Sequence, residues 1–289
     1  VSGTALLYHC LDGVVPHIFR FVPDRRKDGY GIAERAVDWA IKNRVGLFIS
    51  VDCGTSDGPL VERLEEAGID VVICDHHEFP MDGSSRGIML NPGRAGESYP
   101  FAGLCGTGVA YKYALALEAA GLTDGTRADD LLDLVALATV GDLAPLVDEN
   151  RRFVQEGLAR MATNRRTGLA ALTAVAKIDR PDITPFHIGY LLAPRLYAPG
   201  RISNAKPALE LLCTNNGRLA GDLAMSLDAD NRRRKELTEK VQTDVTGMIE
   251  NMEDRDKRSG FLLSGSDWNE GVLGIAASRI VDEYGKPAS

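Results

Sequence analysis

Short apolar runs alternate with amphipathic segments in the first half of the chain. The runs at 45–52 and 69–75 are almost continuously apolar, which is typical of parallel strands covered by helices on both faces. Residues 57–68 between them predict a helix, and strands separated by helices of about a dozen residues predict βαβ units. The pattern therefore predicts an α/β fold in which a parallel sheet carries helices on both of its faces.

The same periodicities predict the other elements of the chain. The expected helices lie at 3–11, 31–43, 107–121, 128–140 and 271–285, and most of 155–215 is also expected to be helical. The expected additional strands lie at 17–23 and 261–265.

One long helix is predicted at 217–252. Apolar residues recur at three- and four-residue steps near both of its ends, whereas the segment DADNRRRKE at 228–236 is polar on every face. Such a helix suits a connector that crosses solvent between two bodies, and at 1.5 Å per residue it would run roughly 54 Å.

The connector divides the chain into three predicted parts. Residues 1–214 form a parallel-sheet domain, residues 215–253 the connector helix, and residues 254–289 the beginning of a second α/β domain. About 35 residues rarely form a stable core alone. We therefore expect the last part to be truncated.

Composition narrows the class of protein. The chain has 289 residues, 44% of them hydrophobic, and a net charge of −8, so overall charge does not attract nucleic acid, although a local basic groove remains compatible with it. No apolar run approaches the roughly 20 residues that span a bilayer. The five scattered cysteines include no C-x-x-C pair, which argues against a disulfide framework or structural zinc site and fits a reducing cytoplasm.

Titratable residues follow both predicted strands. Asp52 ends the first strand, and Asp75, His76 and His77 end the second. Parallel sheets collect ligands at the carboxyl ends of their strands, so we expect these groups at one edge. Asp142, after the helix 128–140, adds another carboxylate.

Carboxylates combined with imidazole suit Mn²⁺ or Mg²⁺ better than zinc. Two such ions about 3.5–4 Å apart form the two-metal site that many enzymes use to hydrolyse a phosphodiester. The structural alternatives are that Asp52 caps the helix at 57–68 and that Asp142 is a cap or turn residue.

Three segments resemble a known family. In order and spacing, VDCGTS (51–56), CDHHEFP (74–80) and VGDLAPL (140–146) resemble the DHH phosphoesterase superfamily, and within it the RecJ-type single-stranded-DNA exonucleases. The resemblance extends over nearly the whole chain through four more segments, at 21–31, 91–112, 193–205 and 267–287.

The resemblance implies a two-metal site holding Mn²⁺ or Mg²⁺. Asp52, His76 and Asp142 would be metal ligands. Asp75, counted with His76 and His77 among the catalytic residues, would hold its neighbours in place or have a structural role. His77 would be a ligand or a contact to the scissile phosphate.

The resemblance also implies contacts to nucleic acid. Arg195 and Arg201 would bind DNA phosphate, for which the planar arginine fork is suited; ion pairing at the surface is the alternative. Gly106 and Gly108 would bring backbone N–H groups to a phosphate, or simply begin a helix. Tyr197 and Trp268 could stack bases, although core packing is the favoured interpretation for Trp268.

The chain departs from the family pattern at several places. No D-x-D-x-D-G motif precedes the helix at 3–11, and the distal G-G-H motif is missing. Tyr197 and Pro199 stand where the pattern has Asn and Ala, and Asn269 where His is common. We therefore expect an excised piece that lacks carboxylates of the metal site and has little nuclease activity alone.

The function implied by the resemblance is metal-dependent 5′→3′ exonuclease activity on single-stranded DNA in repair or recombination. The implied partners are single-stranded DNA, a single-stranded-DNA-binding protein and a helicase, in the cytoplasm and without a membrane. Two alternatives remain open. One is a DHH phosphoesterase acting on oligoribonucleotides, cyclic dinucleotides or polyphosphate, and the other is an inactive nucleic-acid-binding relative.

Overall fold

The computed structural model describes residues 1–79, 86–96, 98–123, 128–163 and 166–289. Within these ranges the helices are α1 (Ser2–Leu11), α2 (Arg25–Asp28), α3 (Glu34–Lys42), α4 (Gly58–Glu66), α5 (Gly106–Ala119), α6 (Leu132–Gly141), α7 (Asp148–Ala162), α8 (Thr167–Val175), α9 (Pro185–His187), α10 (Ala193–Ile202), α11 (Lys206–Cys213), α12 (Gly217–Glu250) and α13 (Glu270–Tyr284). A π-helical turn, Ile188–Leu192, joins α9 to α10. Short 3-10 turns lie at Ala128–Leu131, Arg180–Asp182 and Arg255–Lys257.

The described strands form one parallel sheet. They are β1 (Leu47–Val51), β2 (Asp70–Cys74) and β3 (Ile88–Leu90), in spatial order β1-β2-β3. Val51 pairs with Cys74, which pairs in turn with Leu90. The two longer strands confirm the sequence prediction. The third strand was not predicted, because three residues are too few to show a periodic pattern.

Helices cover both faces of the sheet. Val72 and Cys74 of β2 point into a core shared with α1, α5 and α6, while Val71 and Ile73 point into a second core with α3 and α4. Successive side chains of a strand alternate between faces, so both sets are buried at once. This arrangement confirms the predicted α/β architecture.

Two predicted strands are not present. Residues 17–23 form no strand, and Phe19 packs edge-to-face on Trp39 of α3. Residues 261–265 contribute only a single bridge, from Phe261 to Ala288. Around this bridge, residues 261–263 and 287–289 exchange backbone hydrogen bonds of 2.8–3.0 Å.

The long helix α12 is present, and its surroundings correct one expectation. Its first half contributes Ala220, Ala224 and Leu227 to the main core, and its second half packs with α13 in a third cluster. The polar middle is not solvated on every face, because Asp228 and Asn231 are buried. The division at 1–214, 215–253 and 254–289 stays a prediction.

Among the described helices, none combines the length and apolar character that crossing a membrane requires.

The crossing of α8 and α11 depends on a glycine. A Cβ on Gly168 would lie 1.8 Å from the backbone oxygen of Leu211. Gly168→Ala is therefore expected to lower the free energy of unfolding by about 1–3 kcal/mol through overpacking. Chemical denaturation measures this change.

Gly274→Ala is the matched control, because nothing lies within 4 Å of its Cβ position in α13. Alanine there should raise stability by up to about 1 kcal/mol through helix propensity. Equal effects of the two substitutions would contradict the described crossing.

Candidate metal centre

Asp75 is the buried carboxylate at the bottom of the site. It follows β2 directly and is 1% exposed. Its Oδ2 accepts hydrogen bonds from the backbone N–H (3.0 Å) and hydroxyl (2.6 Å) of Thr55, and its Oδ1 accepts from the backbone N–H of His76 (2.8 Å). Oδ1 also lies 2.7 Å from Nδ1 of His77. Burial by itself would raise the pKa of Asp75, but these hydrogen bonds outweigh it and lower the pKa.

These contacts make Asp75 a link between two loops. Thr55 lies in the loop after β1 and His77 in the loop after β2. A buried carboxylate is stable only when its lone pairs are satisfied, so the two loops are held in one arrangement. The side-chain amide of Asn91, after β3, adds a hydrogen bond of 2.9 Å to the backbone oxygen of His77.

Asp52 stands one residue beyond β1 in a rare backbone conformation. Its φ is +65°, which is costly for a residue with a side chain and is concentrated at functional sites. Its backbone N–H donates to the carbonyl of Cys74 at 2.9 Å. The residue preceding α4 is Asp57, so the alternative that Asp52 caps this helix does not hold.

His76 lies between two carboxylates from different loops. Its Nε2 is 3.1 Å from Oδ1 of Asp52 and 3.5 Å from Oδ2 of Asp142. The hydrogen bond with Asp52 is the largest cause of a raised pKa of His76. The predicted ligands Asp52, His76 and Asp142 are thus brought together at the carboxyl edge of the sheet.

Asp142 ends α6, and the residue after it, Leu143, has a φ of +56°. Burial, and then the nearby charge of Asp52, raises the pKa of Asp142. Both carboxylates remain partly open to solvent, since the side chain of Asp142 is 42% exposed and that of Asp52 is 52% exposed.

The donor set fits a divalent cation. Among the described residues, Asp52, Asp75, His76 and His77 each offer one ligand atom, and these atoms lie within 4.8 Å of one another. A bound cation would relieve the repulsion between the carboxylates that raises the pKa of Asp142. Oxygen and imidazole ligands favour Mn²⁺ or Mg²⁺.

His77 differs from His76 in exposure. Its side chain is 60% exposed and fixed through Nδ1 by Asp75. Fixing one ring nitrogen orients the other, as the supporting partners of metal-binding histidines do. Its role as a ligand or phosphate contact stays a prediction.

Gly106 and Gly108 lie at the start of α5, as predicted. A Cβ on Gly106 would be 2.6 Å from Oδ1 and 2.8 Å from Cα of Asp52. Glycine therefore lets the N-terminus of α5 approach the site. Gly108 makes no comparably close approach, since its nearest neighbour, Leu104, would be 3.4 Å away.

Arg195 is not free for a phosphate in this structure. Its Nε donates to Oδ1 of Asp228 at 2.8 Å, and a terminal nitrogen donates to the carbonyl of Leu191 at 2.6 Å. The ion pair is largely buried between α10 and α12 and not at the surface, and the phosphate contact predicted for Arg195 stays a prediction.

Arg201 is half-buried at the end of α10, and one of its terminal nitrogens lies 3.5 Å from the carbonyl oxygen of Gly271. Burial, and then the nearby Arg25, lowers its pKa.

Both aromatic residues considered for base stacking are partly buried by packing. Trp268 packs in the third cluster, and its indole N–H donates to Asp244 at 3.1 Å. Tyr197 is partly buried behind the site, where its ring packs on the main core.

Sequence reasoning did not assign Thr55 or Asn91, which tie the three strand ends together. Both lie inside segments of the family resemblance, 51–56 and 91–112. Their place in these segments was the available signal, but short polar residues do not reveal their partners without coordinates.

Comparison with known proteins agrees with this geometry. Residues 1–139 match the family described as "DHH family, N-terminal domain". The chain is 35% identical over 288 residues to the single-stranded-DNA-specific exonuclease RecJ of Bacillus subtilis, covering 100% of this chain and 36% of that protein. It is 37% identical to RecJ of Haemophilus influenzae, covering 92% of this chain and 48% of that protein.

Solved structures show the same likeness. The crystal structure of exonuclease RecJ bound to manganese superposes with a TM-score of 0.86 at 28% identity, covering 99% of this chain and 71% of that one. RecJ from Thermus thermophilus with Mn²⁺ gives 0.85 at 27% identity, covering 99% and 41%. RecJ from the same source with Mg²⁺, at 24% identity, TM-score 0.63 and coverage of 99% and 47%, shows the fold alone.

Residues 1–139 of the chain form a DHH-family N-terminal domain. Within that family its similarity is to the RecJ-type proteins along its whole length. It spans between 36% and 49% of the length of the RecJ relatives named single-stranded-DNA-specific exonucleases.

The two glycines of α5 provide a test of the site. Gly106→Ala would press a methyl group against Asp52, so we expect Mn²⁺ affinity to fall about 10–100-fold, as when other supports of a metal ligand are removed. Isothermal titration calorimetry with Mn²⁺ measures this effect.

Gly108→Ala is the matched control in the same helical turn. It should leave Mn²⁺ affinity unchanged and should raise stability slightly through helix propensity. Unchanged affinity in Gly106→Ala would argue against the described approach of α5 to Asp52.

Proposed function

We propose that the chain is the catalytic part of a metal-dependent exonuclease that degrades single-stranded DNA from its 5′ end. The convergence of Asp52, His76 and Asp142 at one sheet edge carries the proposal. Similarity to RecJ over the whole chain supplies the substrate class, because those relatives are named for single-stranded DNA.

The proposed cofactor is Mn²⁺ or Mg²⁺, held by Asp52, His76 and Asp142. When bound, the metal supplies an activated water and stabilises negative charge on the phosphoryl oxygens. Asp75 keeps His77 oriented toward the substrate, and the narrow turns at Asp52 and Asp142 fix their carboxylates before substrate arrives. Such preorganisation avoids rearrangement during the reaction.

Four arginines support binding of the DNA backbone. The four are Arg25, Arg201, Arg234 and Arg279. Burial, and then the charge of Arg25, lowers the pKa of Arg201 in α10. Burial, and then the charges of Arg201 and Arg279, lowers the pKa of Arg234 in α12. In the described part of the chain none of the four forms an ion pair with a carboxylate. Nε of Arg234 is buried without a hydrogen-bond partner.

Such a cluster is unusual in a chain of net charge −8. Like charges held together in partly buried positions repel each other, and a phosphate would relieve that repulsion while accepting bidentate hydrogen bonds. Arg195 supports the cluster indirectly, because its ion pair with Asp228 fixes α10 against α12.

The alternatives differ in the length of nucleic acid bound. A phosphoesterase for dinucleotides or polyphosphate has less need of basic residues on the connector helix, and an inactive relative has no need of the metal ligands. The arginine cluster on α10 and α12 favours a longer strand. Further proposals are a single-stranded-DNA-binding protein and a helicase as partners, and the cytoplasm as location, which suits five unpaired cysteines.

A hybrid enzyme tests the activity. Residues 1–289 replace the matching segment of Bacillus subtilis RecJ, and the hybrid is given Mn²⁺ with a 5′-labelled long single strand beside a dinucleotide. We expect digestion of the long strand. His76→Ala should slow it at least about a hundredfold, since metal catalysis contributes several kcal/mol.

His17→Ala, an exposed histidine outside the site, is the matched control and should leave the rate unchanged. Preference for the dinucleotide would favour the alternative phosphoesterase. A hybrid that binds single strands but cleaves neither substrate would favour the inactive relative.

The arginine cluster predicts a salt-dependent effect. Arg234→Ala should weaken binding of single-stranded DNA by the chain and reduce the slope of log K against log salt by about 0.7, the value for one phosphate contact on a single strand. Fluorescence anisotropy at several salt concentrations measures the slope.

Arg233→Ala is the control, because Arg233 is the exposed neighbour on the same helix. It should change the slope little. A similar change in both variants would show that binding responds to net charge and not to the cluster.

A further inference from the structure

The phenol of Tyr197 lies where α10 crosses the end of α6. A Cβ on Gly141 would be 2.7 Å from the hydroxyl oxygen of Tyr197, 3.1 Å from its Cε2 and 3.2 Å from Cβ of Ala193. Glycine at this position lets the hydroxyl reach the peptide that precedes Asp142. The ring itself packs against the main core.

The charges of both carboxylates of the metal centre also act on the phenol of Tyr197. Burial, and then the charges of Asp142, Cys105 and Asp52, raises the pKa of Tyr197, while the neighbouring Ser2 hydroxyl opposes the rise. The phenol therefore stays un-ionised where it packs against Gly141, the residue before Asp142. His76 contacts the same two carboxylates from the other side.

The loop at Asp142 needs such support. Leu143 has a φ of +56° and is 89% exposed, so its side chain does not anchor the turn. The turn is closed by backbone hydrogen bonds, from Leu143 to Val140 (3.2 Å) and from Ala144 to Thr139 (3.1 Å). A strained turn persists when the surrounding packing determines it.

We propose that Tyr197 is a positioning residue of the metal centre, whose hydroxyl holds the Asp142 loop at the separation from Asp52 that a divalent cation needs. The role rests on the proposed function, because it assumes that the two carboxylates bind metal. The residue departs from the resembling motif, which has asparagine at this position.

Tyr197→Phe tests the role, because it removes the hydroxyl and keeps the ring. Mn²⁺ affinity of the chain is measured by isothermal titration calorimetry, and the electron paramagnetic resonance spectrum of the bound ion reports its ligand arrangement. We expect affinity to fall about tenfold or more, as for other partners that orient metal ligands, together with a changed spectrum. Tyr197→Asn, the residue of the motif, should restore part of the affinity.

Tyr113→Phe is the matched control, because Tyr113 is another partly buried tyrosine packed on the same core. It should leave affinity and spectrum unchanged. Affinities are compared at a temperature where circular dichroism shows every variant fully folded, so that a loss of stability is not read as a loss of binding.

The outcomes separate the two proposals. Wild-type affinity and spectrum in Tyr197→Phe would overturn the positioning role and leave the proposed function standing. Absence of Mn²⁺ binding by the unaltered chain would overturn the metal centre and this role with it.

Discussion

The buried carboxylate of Asp75 is the interaction on which the site depends. It accepts hydrogen bonds from the loop after β1 through Thr55 and from its own loop through His76 and His77. An ionised group taken out of water must be fully partnered. These hydrogen bonds hold the ends of β1 and β2 together. They therefore fix the positions of Asp52 and His76, which follow these strands, relative to each other.

Around that link the site brings like charges together and keeps them there. Asp52 and Asp142 come from different elements, and each lies beside a residue in a rare backbone conformation or adopts one itself. Close helix approaches, at Gly106 and Gly141, support these loops from behind. The packing of the fold thus compensates for the strained turns and for the repulsion between the carboxylates. A bound divalent cation would reduce this repulsion, and the two carboxylates are already in place to bind it.

A second concentration of charge lies along the connector helix. Arg201 and Arg234 are partly buried and lack carboxylate partners in the described part of the chain, and the charge of Arg201 helps to lower the pKa of Arg234. Arg195, in contrast, has its charge compensated by Asp228. Two arginines that look equivalent in the sequence therefore differ in their contacts: Arg195 pairs with Asp228 across α10 and α12, whereas Arg201 has a terminal nitrogen 3.5 Å from the carbonyl oxygen of Gly271.

The sequence by itself determined the two longer strands of the parallel sheet, the helices on its faces and the titratable residues at the strand ends, because these follow from local periodicity and from the rule that ligands gather there. The choice of Asp52, His76 and Asp142 as metal ligands came from the family resemblance. Only the tertiary structure decided which polar groups meet. The strand-like segment 17–23 packs on a helix, Arg195 meets Asp228, and Tyr197 turns inward behind Asp142. Each of these contacts joins residues that are far apart in the chain. The type of a residue and its local sequence do not indicate which distant residue it will contact.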